Sequence, residues 1–199
     1  MKIGVLGTGQ VGSAIGSKLA TLGHDVMIGS RSPGTKGAGL PQVRIGTQVE
    51  AAAHGDWVVN ALPGEASLIA LRACAINGKI LIDIGNYNTA VDKPIVEPLG
   101  QAIQREHPTA RVVKTLNSIS AHLMVDPGNL EGQHSVFIAS NDEAAKREVV
   151  VLLQSFGWQD IVDLGDLGAC RAMEQLIPLW MSLESKLGGP QFNLSVVRG

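Results

Sequence analysis

A short apolar run, Lys2–Leu6, passes directly into Gly7-Thr8-Gly9-Gln10-Val11-Gly12, and the last part of that hexapeptide opens an amphipathic stretch, Gln10–Leu22. Strand, GxGxxG and helix in immediate succession leave this chain few folds to choose from. The spacing alone arises by chance in a glycine-rich chain; between a strand and a helix it has a physical meaning. Gly7 permits a tight turn, Gly9 lets the backbone approach a pyrophosphate, and Gly12 lets helix and strand pack closely. An anion then meets the free N–H groups at the positive end of the helix. The first unit therefore reads as a dinucleotide-binding βα turn.

The rest of the pattern agrees. Further strands are predicted at Asp25–Gly29, Val43–Ile45, Trp57–Leu62, Lys79–Ile84, Arg111–Leu116, His134–Ala139 and Asp160–Asp163. Helical stretches are expected at Thr47–His54, Ala66–Ala75, Pro94–Glu106 and Asp142–Phe156. Trp57-Val58-Val59 and Ile80-Leu81-Ile82 are apolar without alternation, as strands are when helices cover both faces of a parallel sheet. Glycine is 24 of 199 residues, against a usual level of roughly 7%, which suits the many tight turns of such a fold. The expected class is α/β: a Rossmann-type, doubly wound, mostly parallel sheet over residues 1–165, with a small C-terminal helical portion over 166–199. Asn141, Asp142 and Glu143 form a capping and dipole-matching start for their helix, and Gly23, Gly78 and Gly157 follow helical runs where a left-handed residue is wanted.

Composition removes several functions. Lys and Arg total 16 against 18 Asp and Glu, so nothing suggests a nucleic-acid partner. With 45% apolar and 17% charged residues the chain reads as a globular core, and no apolar run approaches the ~20 residues that span a bilayer. Cys74 and Cys170 fall in apolar helical patterns with no CxxC or Cys/His cluster near them. Two buried free thiols, no metal site and a reducing, cytoplasmic setting are the expectations.

The cofactor follows from the end of the second strand. An NAD site carries an acidic residue there, roughly 20 residues on, for the ribose diol. Here Gly29-Ser30-Arg31 takes its place. No carboxylate repels a 2′-phosphate, and a guanidinium can clamp one and stack on adenine. Ser30 can donate to the same phosphate, and Lys36 in the Arg31–Leu40 loop adds charge. NADP(H) is the expected cofactor.

Other strand ends converge on the same crevice. Ala61, Leu62 and Pro63 would pass the ribose and nicotinamide. Asn86 and Asn117 would either bond the carboxamide or the acceptor, or stabilise their own turns. Acid–base candidates are few: Asn117 and His122 are weak catalytic candidates, and Lys114 lies within an apolar strand. So little proton-transfer machinery suits hydride transfer between two redox cofactors. The tail, Leu167 to Leu187, reads as one long helix that Pro178 kinks or splits. Its apolar surface fits either packing on its own sheet or a dimer interface that helps form the active site.

The run GVLGTGQVGSAIGSKLATLGHDVMIGSR, the block Val113-Lys114-Thr115-Leu116-Asn117-Ser118, the strand Val136-Phe137-Ile138-Ala139, and Asp163-Leu164-Gly165 followed by Arg171 resemble the NADP oxidoreductase family named for coenzyme F420, an 8-hydroxy-5-deazaflavin. The fold is also similar to the cytosolic domain of the six-transmembrane metalloreductases. The family resemblance implies a homodimer passing hydride between NADPH and the deazaflavin, with cofactor contacts on Thr8, Gly9, Gln10, Val11, Ser30 and Arg31. The chain departs from the family's archaeal enzymes at Asn117-Ser118-Ile119-Ser120, which borders the acceptor. Deazaflavin, flavin and quinone therefore stay open as acceptors. A non-catalytic NADP(H) redox sensor and a reductase of a small imine or carbonyl, with His122 or Lys114 as proton donor, are the alternatives.

Overall fold

A computed structural model describes residues 1–33, 42–88 and 97–199. Eight strands form one sheet: β1 (Lys2–Leu6), β2 (Asp25–Ser30), β3 (Arg44–Thr47), β4 (Trp57–Asn60), β5 (Ile80–Asp83), β6 (Arg111–Thr115), β7 (Ser135–Ser140) and β8 (Asp160–Asp163). Their order is β3-β2-β1-β4-β5-β6-β7-β8. The first six strands are mutually parallel, and the winding reverses between β1 and β4. β7 runs antiparallel to β6, and β8 parallel to β7. The mostly parallel, doubly wound sheet is as the pattern implied.

The helices are α1 (Gln10–Thr21), α2 (Gln48–His54), α3 (Gly64–Leu71), α4 (Leu99–Glu106), α5 (Ala121–Val125), α6 (Glu143–Phe156) and α7 (Cys170–Leu187). Continuous apolar strands are accounted for by two cores, one on each face. Val59, Ile80, Ile82, Val113 and Val136 pack with Ile15 and Leu19 of α1 and Val149 and Leu153 of α6. Val58, Leu81 and Val112, one residue out of phase, pack with Ala51 and Ala52 of α2, Leu71 of α3 and Ile103 of α4.

Helix ends follow local chemistry. Thr47 and Glu50 form a reciprocal capping box on α2, and Asp142 accepts from the Ala145 N–H on α6. Gly23, Gly78 and Gly157 take the left-handed conformation expected of them.

Four expectations shift. α3 starts at Gly64 and not Ala66, because Pro63 serves as its N-cap and presets the entry. α4 starts at Leu99: Pro98 keeps the residue before it out of the helical region. Residues 94–96 of the expected Pro94–Glu106 helix lie outside the described residues. The tail is a 3-10 turn, Leu167–Ala169, followed by α7, which runs through Pro178 without splitting. The short helix α5 was not foreseen, being too brief to show a period.

Only Cys170, Met173 and Glu174 of α7 are buried. Beyond the helix the chain returns to β7, where the Ser135 N–H donates to the Leu194 carbonyl at 2.8 Å. Arg198 pairs there with Asp160 at 3.0 Å. Among the described residues no helix is long and apolar enough to cross a membrane.

Candidate active site

A cleft of about 800 Å³ lies over the carboxyl ends of β1, β2, β4, β5 and β6, where open α/β sheets bind ligands. Of the expected cofactor residues, Gly7, Thr8, Gly9, Gln10, Val11, Ser30, Arg31, Ala61, Leu62, Pro63, Asn86 and Asn117 all line it. Gly12 lies just beneath, and Lys36 falls outside the described residues.

The glycines divide their work as the motif requires. Gly7 has φ +115°, a conformation costly for a residue with a Cβ. A Cβ on Gly12 would stand 2.0 Å from the Gly7 carbonyl oxygen, so only glycine lets α1 close on the turn. A Cβ on Gly9 would meet no protein atom within 4 Å, because Gly9 faces the cleft itself. The α1 N-terminus has no side-chain cap and no acidic residue in its first turn, unlike α2 and α6. Its N–H groups are thus left for an anion, and the site fits a dinucleotide pyrophosphate. At the far end of this half, Ser30 Oγ accepts from the Ser32 N–H at 3.0 Å, and Arg31 is exposed at the rim.

The other half of the cleft is built from three strand ends and α7. Leu116, which follows β6, is the one described non-glycine residue with a positive φ, 60°. That conformation costs roughly 1–2 kcal/mol and turns the chain so that Asn117 and Ser118 line the cleft. Asn86 Nδ2 donates to the Asn117 carbonyl at 2.6 Å, and Asn117 Nδ2 donates to Asn86 Oδ1 at 3.1 Å and to the Met173 carbonyl at 2.8 Å. Both N–H groups of the Asn117 amide are therefore spent inside the protein, and the pair acts as a latch between β5, β6 and α7. Ile177, Trp180, Met181 and Glu184 of α7 line the same half of the cleft. Trp180 stacks at a tilt on Phe192, with ring centroids 5.4 Å apart. Its indole Nε1 is buried with no hydrogen-bond partner among the described residues.

Two proposed proton donors are displaced by the structure. His122 is exposed and pairs through Nε2 with Gln191 Oε1 at 2.6 Å, directed to the returning tail and outside the cleft lining. Lys114 is fully buried in ion pairs with Asp83 and Glu174, below the cleft. The titratable residues among the described cleft lining are Arg31, Tyr87 and Glu184. Tyr87 was missed in the sequence. Burial, followed by the carboxylates of Glu174, Glu97, Asp83 and Glu65, pushes its pKa up and keeps it a phenol. Both cysteines are buried and free. Burial raises the Cys170 pKa to about 12 and that of Cys74 more modestly, so neither is a thiolate nucleophile. Among the described residues no His, Cys, Asp and Glu cluster could hold a metal.

Fold and site define a dinucleotide-binding protein of the Rossmann type. Comparison with known proteins narrows the class. The family model for NADP oxidoreductase coenzyme F420-dependent matches residues 2–87. A solved structure from Arthrobacter sp. FB24, provisionally described as an F420-dependent NADP-reductase, is 43% identical with a TM-score of 0.93, each chain covered in full. The F420-dependent NADP reductase of Methanocaldococcus jannaschii is 29% identical, over 94% of this chain and 93% of that protein. Metalloreductase STEAP3 of Rattus norvegicus is 28% identical over 90% of this chain, which spans only 38% of that protein. The chain belongs to the F420-dependent NADP oxidoreductase family.

Proposed function

We propose that the protein transfers hydride between NADP(H) and a flat ring acceptor: a deazaflavin such as coenzyme F420, a flavin or a quinone. The observation that carries this reading is the second half of the cleft, lined by Ile177, Trp180 and Met181 of α7 together with the Asn86–Asn117 latch. A planar ring can lie against such surfaces. Gly7 to Val11 hold the pyrophosphate, Ser30 and Arg31 take the 2′-phosphate with Lys36 adding charge, and Ala61 to Pro63 pass the ribose and nicotinamide. Bound NADPH supplies the hydride, and water supplies the proton that completes reduction of the acceptor. What the chain itself contributes is alignment of two rings.

The small-carbonyl alternative is weakened by the placement of His122 and Lys114, its two proton donors. We further propose a homodimer in a reducing, cytoplasmic setting, without a nucleic-acid or membrane partner. Leu179, Met181 and Leu187 of α7 are 50%, 46% and 62% exposed, and a second copy would cover them. The test is loss of reduced-nicotinamide absorbance with the deazaflavin, FMN, FAD and a quinone supplied in turn, with NADH as the control. Turnover of any one of these with NADPH supports the reading. Tight NADPH binding with no turnover on all four would replace it with the redox sensor.

A further inference from the structure

Below the acceptor half of the cleft lies a buried charge cluster that holds no part of NADP(H). Lys114 donates to Asp83 Oδ2 at 2.8 Å and to the Gly85 carbonyl at 2.5 Å, and forms an ion pair with Glu174 Oε1 at 3.1 Å. The carboxylates are satisfied as well. Asp83 Oδ1 accepts from Asn60 Nδ2 at 2.8 Å and from the Gly85 N–H at 3.2 Å. Glu174 accepts from the Leu99 and Gly100 N–H groups at 2.9 and 3.3 Å, in the first turn of α4. Burial on its own would lower the Lys114 pKa, but the two carboxylates outweigh it and the amine stays charged.

Stability is a poor reason for such a cluster, since well-packed apolar residues often serve a core equally well or better. Its position supplies another reason. Glu174 is on α7, of whose eighteen residues only Cys170, Met173 and Glu174 are buried. Met173 is joined to Asn117 through its carbonyl. The first turn of α7 is thereby bolted to the ends of β5 and β6, which are the floor of the acceptor half. One to three turns further on, the same face of the helix carries Ile177, Trp180 and Glu184 into the cleft lining.

We propose that Glu174 is a positioning residue for the acceptor: gripped by Lys114 and by the α4 N-terminus, it sets the gap between the α7 wall and the strand-end floor, and so sets which ring is accepted. The proposal rests on the hydride-transfer reading above. It assigns Glu174 no contact with either reactant.

Glu174→Gln is the first test. It leaves Lys114 paired with Asp83, but any rotamer turns the new NH2 towards a donor, either the ammonium or the α4 N–H groups. Glu174→Asp keeps the charge with a shorter reach and serves if the Gln variant fails to fold. Three readouts are needed: NADPH affinity by fluorescence titration, kcat and KM for each acceptor, and amide hydrogen exchange over residues 177–184. The expected result is NADPH affinity within about twofold of wild type, an acceptor KM raised about tenfold, and exchange over the wall about tenfold faster, with Asp restoring part of both. A folded Gln variant with wild-type acceptor KM and wild-type exchange overturns the proposal. So does an equal loss of NADPH affinity and acceptor KM, which marks a merely structural role. If the wild-type protein turns over no acceptor, the functional reading fails, while the exchange measurement still tests the seat of α7.

Discussion

Gly9 and Gly12 belong to one motif, yet the structure assigns them different reasons, and alanine separates the two. Gly9 has φ −74° and ψ −175°, which any residue adopts, and its new methyl meets no protein atom within 4 Å. Removing glycine from such a position gains about 0.4–1 kcal/mol through the unfolded chain. Alanine is a poorer N-cap than glycine by about 0.5–1 kcal/mol, so the two effects nearly cancel. Gly9→Ala should therefore melt within a degree or two of wild type without cofactor, while its methyl occupies the space the pyrophosphate needs. An affinity loss of ten- to a hundredfold, about 1.4–2.8 kcal/mol, is expected. Gly12→Ala puts a methyl 2.0 Å from the Gly7 carbonyl oxygen, and Gly7 cannot retreat freely because its N–H is held by the Gly29 carbonyl at 2.9 Å. Overpacking against backbone falls at the upper end of the usual range, about 3 kcal/mol. For a chain of this size that is a fall of about 6–12 °C in Tm. The assays are thermal unfolding without cofactor and NADPH titration by fluorescence. Equal losses of Tm in the two variants, or full NADPH affinity in Gly9→Ala, would refute the assignment of the cleft-facing position to the pyrophosphate.

Three further substitutions test the rest of the reading. Arg31→Ala should weaken NADPH by about 1.5–3 kcal/mol and leave NADH unaffected, since one charged hydrogen-bonded contact is lost; parallel titrations of both cofactors check it, and equal losses would reject the role. Lys114→Met strands two buried carboxylates, and breaking such a cluster by removing one partner costs about 3–5 kcal/mol, visible in urea unfolding. The Asp142 pKa is lowered to about 2, first by its hydrogen bond from Arg111 and then by the Ala145 N–H. Its stabilisation is thus complete above the ordinary carboxylate pKa and is lost as pH falls through about 2. Asp142→Asn should flatten the decline of Tm between roughly pH 4 and 2 relative to wild type.

Most of the sheet was legible because its causes are local. Val58 and Val59, adjacent in sequence, enter different cores, and a strand covered on both faces cannot alternate. Thr47-Gln48-Val49-Glu50 spells its own capping box. What escaped depends on partners distant in sequence. The reversal of β7 leaves no mark in Val136-Phe137-Ile138-Ala139, since an apolar strand reads alike in either direction. Lys114 stood out as a charge in an apolar strand, and a buried charge demands a partner. Nothing near it in sequence names Asp83 or Glu174, so it was weighed as a proton donor when its ammonium is held in buried ion pairs.

The same distinction divides the site. The cofactor half is made largely of backbone: a left-handed glycine, a close helix approach and uncapped N–H groups, all within six consecutive residues. Such a device is written in a motif, and the family model's match, residues 2–87, covers it and stops short of α7. The other half is made of side chains from β5, β6 and α7, joined by buried charges and an asparagine latch. None of those contacts is local, and none constrains the glycine loop. A fold divided in this way can keep one half of its cleft while the other changes. Proteins named for a deazaflavin reaction and for metal reduction can accordingly both align with this chain over most of its length.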